Sequence, residues 1–165
     1  MATLATIKKH AKKEFIPNLE KLGFNHQKAF HFIRQRNEFY DVIFGEILSS
    51  GQSLRLIGFC WTPEVNPDLD LIKHLKQWSI IAGGNIGDRV FPDIGHLWDI
   101  DEKHLIEEQL RIAFKTIRSK VIPWFDQIQS REDFVRNVNI ATKAMPSWEK
   151  RKVRILQSNS SLPKS

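Results

Sequence analysis

Cysteine is almost absent from this chain: Cys60 is the only one in 165 residues. A lone thiol forms no internal disulfide and supplies no multi-cysteine zinc or iron–sulfur site. It lies in the apolar run LRLIGFCW, where a small buried hydrophobe is expected rather than a catalytic thiolate. Long apolar stretches are missing as well. Nothing approaches the run of about eighteen apolar residues that a spanning helix needs, so no membrane partner is expected. The opening MATLATIKKHAKKEF has no extended apolar centre and reads as part of the folded chain, which makes a cytoplasmic location the expectation. Several catalytic signatures are lacking too. AGGNIG is neither a dinucleotide fingerprint nor a Walker loop, and a turn or bulge is the expected role of its glycines. No H-E-x-x-H and no G-x-S-x-G occurs, which removes the usual metalloprotease and serine-hydrolase patterns. His96, Asp99, Asp101 and His104 are metal-ligand types, but their spacing matches no standard zinc or calcium site. No metal, no cofactor and no catalytic residue is therefore assigned.

What is present fits one ordinary folded domain. Hydrophobic residues make up 41% and charged residues 27%, enough for one core in a chain of this length. The net charge of +6 is unevenly spread. Residues 1–22 carry +3 and residues 141–165 carry +5, whereas the centre carries −2. Basic ends attract nucleic acid or anionic surfaces without reading sequence, and they also simply solubilise. The expected organisation is a single α+β domain over 1–140 followed by a basic, partly disordered C-terminal tail over 141–165.

The patterning is helix, strands, then helices. Leu4, Ile7, Ala11, Phe15, Leu19 and Leu22 recur at steps of three and four, giving one apolar helical stripe. Pro17 should kink it or start a second short helix, because its ring crowds the carbonyl of Lys13. Gly23 suits the left-handed residue that ends a helix. AFHFIRQR, EFYDVIFGEIL and SLRLIGFCW alternate with period two and are rich in aromatic and β-branched residues. Three strands joined by short turns predict an antiparallel meander packed against the flanking helices. Both of its faces are apolar; one should meet helices and the other be covered in part by loops or a partner. The middle of the chain alternates short helical, extended and turn signals. A long helix is predicted from about Glu102 to Val121, with Asp99 as its cap and Pro123 as its stop. Ser130 and Asp133 repeat the capping signature before a further helix.

Four groups of residues are candidates for function. Trp124 and Phe125, directly after Pro123, read as a wedge closing the corner between helices and sheet. Arg34, Arg36 and Arg55 interleave with rings, as in single-strand recognition, yet cross-strand pairing with Asp41 and Glu46 accounts for them equally. The six histidines are scattered and form no cluster. Arg89, in a glycine-rich extended segment, forms the candidate binding set with His96 and Trp98.

LEKLGF at 19–24, FHF at 30–32, the strands DVIFGEIL and LRLIGF, IGDRVF at 86–91, HLWDI at 96–100 and IPWFDQIQSREDF at 122–134 together resemble the bacterial domain-of-unknown-function family DUF4304. The resemblance covers roughly residues 10–135 and implies a small single α+β domain. This chain departs from the family where Glu46 replaces a frequent glutamine and Leu97-Trp98 a frequent tryptophan pair. The family carries no established activity, so no catalytic residue transfers. Some such small bacterial domains sit beside toxin systems and serve as immunity or accessory proteins. The function expected is a non-enzymatic binding or accessory module for a protein partner, immunity-like in kind. A nucleic-acid-associated protein using its basic ends is the less favoured alternative, and a small hydrolase the third.

Overall fold

Pro17 has no N–H to offer Lys13, and the first helical stretch divides at that point. The computed structural model describes residues 4–28, 30–47, 53–63, 82–85, 98–99, 106–138 and 140–157. Helix α1 (Leu4–Lys13) and helix α2 (Phe15–Lys21) are separated at Glu14, whose φ of −137° leaves the helical region. Hydrogen bonding resumes one residue past the proline, where the Asn18 N–H donates to Glu14 at 2.9 Å. Gly23, at φ +90°, ends α2 as the left-handed position requires. Ile7, Ala11, Phe15 and Leu19 of the predicted stripe are buried.

The three patterned segments are strands, as expected: β2 (His31–Arg36), β3 (Phe39–Ile47) and β4 (Ser53–Trp61). They form the antiparallel meander, with Asn37 at φ 52° in the first turn. Strand β1 (Asn25–Lys28) adds an edge before β2. Strands β5 (Ala82–Asn85) and β6 (Trp98–Asp99) both pair with β4, at different places along it. The AGGN segment is thus a strand rather than a turn.

Register assigns the faces. Phe32, Ile43, Leu56 and Cys60 lie on one face and join the helices in the main core. Ile33, Val42, Phe44, Ile57, Phe59 and Trp61 lie on the other and form a second buried cluster, with Tyr40 packed against it. Gly45 marks a close approach. A Cβ built there would stand 2.5 Å from the Phe30 Cβ, because the Gly45 N–H donates to the Phe30 carbonyl at 2.9 Å.

The long helix differs from expectation at its end. Helix α3 (Ile106–Thr116) runs into a π-helical turn (Ile117–Val121) and on through Pro123 in helix α4 (Ile122–Asp126). Pro123 therefore does not stop it. In a regular helix the proline would leave the carbonyl four residues back unpaired. The π turn has already shifted the pairing, with the Ile122 N–H bonding to the Ile117 carbonyl, so the proline enters a ladder that is rearranged around it. Trp124 and Phe125 consequently sit on the final helical turn, not in a connection. Phe125 is fully buried against Phe24, with ring centroids 6.3 Å apart, whereas Trp124 is half-buried on the rim of the core. Asp99, expected as the cap of this helix, belongs to β6 opposite Ser53; the intervening residues 100–105 lie outside the described ones.

Ser130 caps helix α5 (Arg131–Asn137) as predicted, its Oγ accepting from the Asp133 N–H while the Asp133 carboxylate accepts from the Ser130 N–H. The Asp133 carboxyl is held low by the Gln129 N–H first and then by the Ser130 side chain. Beyond it the chain is not all tail. Helices α6 (Ile140–Lys143) and α7 (Trp148–Gln157) follow, and Trp148 and Ile155 are part of the main core. Arg131 ties α5 to this end by donating to the Ile155 carbonyl at 3.0 Å, and to the turn between β2 and β3 by donating to Glu38 at 2.7 Å. Among the described residues no helix is long and apolar enough to cross a membrane.

Candidate binding site

Glu107, Leu110, Arg111 and Phe114 fall at positions i, i+3, i+4 and i+7 of α3, which places them along one face. That face meets α1 and the start of α2 beside the break at Glu14. The helices do not close completely there. They leave a half-open groove of about 370 Å³, floored by Phe15, Leu110 and Phe114 and rimmed by His10, Lys13, Glu14, Asn18, Glu107 and Arg111. Phe15 and Leu110 are buried, while Phe114 is half-buried.

The rim is already paired. His10 Nδ1 lies 2.9 Å and Lys13 Nζ 3.1 Å from the same Glu107 oxygen, and Arg111 stands 3.9 Å from Glu14. The Lys13 ammonium, then His10, holds the Glu107 carboxyl below its ordinary value of 4.5. A depressed carboxylate contributes stability that is present above its unfolded-state pKa and is lost as pH falls through the folded one. The stability difference between wild type and Glu107→Gln should therefore be present at neutral pH and vanish in acid below the carboxylate range. Urea midpoints at several pH values check this.

A second polar cluster lies beneath the sheet edge and has a different character. Asp41 is fully buried between two arginines. Arg36 grips it with a fork, Nε to Oδ2 at 2.6 Å and Nη2 to Oδ1 at 2.8 Å, and Arg34 Nε donates to Oδ2 at 2.9 Å. Arg34 also reaches Asp126 at 3.0 Å, and Arg36 reaches the Ile128 carbonyl at 3.1 Å. Burial alone would lower the Arg36 pKa, but the hydrogen bond and charge of Asp41 outweigh it and raise it. These arginines bind the sheet to the end of α4, with the Arg34 guanidinium 5.1 Å from the Phe24 ring centre. The cross-strand pairing expected for them is what the structure holds. Glu46 and Arg55 are also register partners. Cys60, opposite Asp41, is buried, and its thiol is pushed upward by burial and then by the Asp41 charge. It stays a neutral hydrophobe, not a nucleophile.

Arg89 and His96 of the sequence-based binding set lie outside the described residues. Trp98 is in β6, paired with Leu54, and its side chain is likewise outside. The His96–His104 ligand types fall outside with them, only the backbone of Asp99 being described; among the described residues no group of three or more His, Cys, Asp or Glu gathers as a metal site would require. The groove was not singled out from sequence, since His10 and Glu107 are 97 residues apart. The available signal was complementarity, a basic end on α1 and an acidic first turn on α3. No family model, no curated protein and no solved structure matches the chain.

Proposed function

We propose that the protein is a non-enzymatic binding or accessory module whose partner is a protein, and that the groove between α1, α2 and α3 receives a side chain of that partner. The observation that carries this reading is the pairing of an apolar floor with a rim of charges that already neutralise one another. Such a rim orients a guest without demanding a counter-ion, and the floor rewards an aromatic or aliphatic side chain. Burying one contributes about 1.5–3 kcal/mol, which is the scale of an interface anchor. An immunity-like role is consistent with the resemblance to DUF4304 and rests on that resemblance alone.

Two alternatives are separable from this one. A nucleic-acid-associated protein would use the exposed lysines of α1 and the basic C-terminal helices, since Arg34 and Arg36 are committed to Asp41. A hydrolase would use His10 as a base held by Glu107, but the same carboxylate oxygen also takes Lys13. Affinity isolation of the tagged full chain from its own host tests all three, with Arg111→Glu and Phe114→Ser variants whose folding is verified by circular dichroism. A stoichiometric protein recovered with wild type and lost with both variants is the expected result. Recovery unchanged in both variants would remove the groove from the interface. Nucleic acid in place of protein, released by salt, or ester hydrolysis abolished by His10→Ala, would replace the reading altogether.

A further inference from the structure

Helix α7 turns two of its apolar residues inward and two outward. Trp148 and Ile155 are in the core, yet Val153 and Leu156 are 48% and 38% exposed. On α6 and the turn that follows it, Ile140 is 77% and Met145 42% exposed, and α6 packs against α7. These four account for four of the five exposed large hydrophobics among the described residues. Lys150 and Arg154 are exposed beside Val153 on α7, and its only acidic residue, Glu149, on the side of Val153 and Leu156, is already paired with Lys152 at 3.9 Å. The helix is fixed from below by its two buried side chains and by the Arg131 bond to the Ile155 carbonyl, so the outer surface is presented on a rigid support.

We infer that the outer face of α6 and α7 is a second docking surface, and that its occupant is an acidic protein segment carrying aliphatic side chains among its carboxylates. This rests on the reading that the partner is a protein. Complementarity of charge selects acid, and the exposed aliphatic groups select a segment with apolar residues of its own. A nucleic acid fits less well, because the face offers no ring for a base to stack on: the one aromatic of α7, Trp148, is 5% exposed. A membrane surface fits less well too, since the strongest apolar residues of α7 face the protein and are not free to enter lipid.

The test uses the full chain and three probes: a synthetic amphipathic helical peptide with leucines on one face and glutamates on the other, a mixed-sequence oligonucleotide, and phosphatidylserine vesicles. Amide shift mapping should place the peptide at residues 140–157. Its affinity should fall at least about tenfold in Lys150→Glu/Arg154→Glu and again in Val153→Ser/Leu156→Ser. All four positions are exposed, and an unchanged circular dichroism spectrum and melting midpoint verify that the fold is intact. Peptide shifts confined to the groove would overturn the inference while leaving a protein partner in place. Oligonucleotide binding tighter than the peptide and indifferent to Val153→Ser/Leu156→Ser would overturn both. Vesicle binding with the same variant dependence, or no peptide binding up to about millimolar concentration, would also overturn the inference.

Discussion

Asp41→Ala should destabilise the protein by about 3–5 kcal/mol, because it leaves two arginines in a part-buried site without their shared carboxylate. Arg34 and Arg36 are only 14% and 20% exposed, and three of their nitrogens converge on one Asp41 oxygen. Asp126 compensates little: it bonds Arg34 and acts on Arg36 only weakly through its charge, and it is itself 54% exposed, so these interactions are screened by solvent. Folded domains are stable by only about 5–15 kcal/mol, so a loss of this size should move the urea midpoint by a large fraction of its value. Asp41→Asn should behave more like alanine than like aspartate, since its amide nitrogen would face donors. The informative control is the triple replacement of Arg34, Asp41 and Arg36 by apolar residues of similar volume. It should cost much less than the single change, because charges that are removed together leave no orphan. A triple variant as unstable as Asp41→Ala would mean that the cluster contributes net stability in its own right.

The same cluster marks how far the sequence was readable. Arginines at alternate positions of one strand, with an aspartate on the next, were open either to stacking on nucleic acid or to cross-strand pairing. Local pattern could not choose, because register across the turn at Asn37 decides it. The three central strands and α1 were legible because their apolar residues repeat at the period of the structure that buries them. Strand β1 was not: Asn25, His26, Gln27 and Lys28 carry no apolar signal, and the strand is placed at the sheet edge by backbone bonds to β2 and by the His26 ring against Phe32. Pro123 misled for a different reason. The rule that proline ends a helix assumes a regular ladder, and the preceding π turn supplies an irregular one. The groove was invisible locally, since it arises where two helices distant in sequence meet imperfectly.

Helix α7 shows the same limit with the largest consequence. Its two inward residues, Trp148 and Ile155, are seven positions apart, and the aliphatic residues between and beyond them point outward, so the stripe breaks up and the segment reads as a basic tail. A chain ending at residue 140 should therefore fail to fold stably, not merely lose charge. Removing a buried tryptophan costs about 3–5 kcal/mol and a buried isoleucine about 2–5 kcal/mol, which together approach the whole stability of a small domain. Arg131 would in addition lose the carbonyl it bonds at 3.0 Å. Trp148→Ala alone should reproduce the greater part of the effect, read as a fall in the calorimetric midpoint. Lys150→Glu/Arg154→Glu should leave that midpoint nearly unchanged, since exposed charges contribute little to stability. The contrast matters for function, because loss of any basic-end interaction on truncation would report an unfolded protein, whereas loss in the charge-reversed chain would report the surface itself. A shortened chain that melted like the full one would show that α7 is an appendage after all.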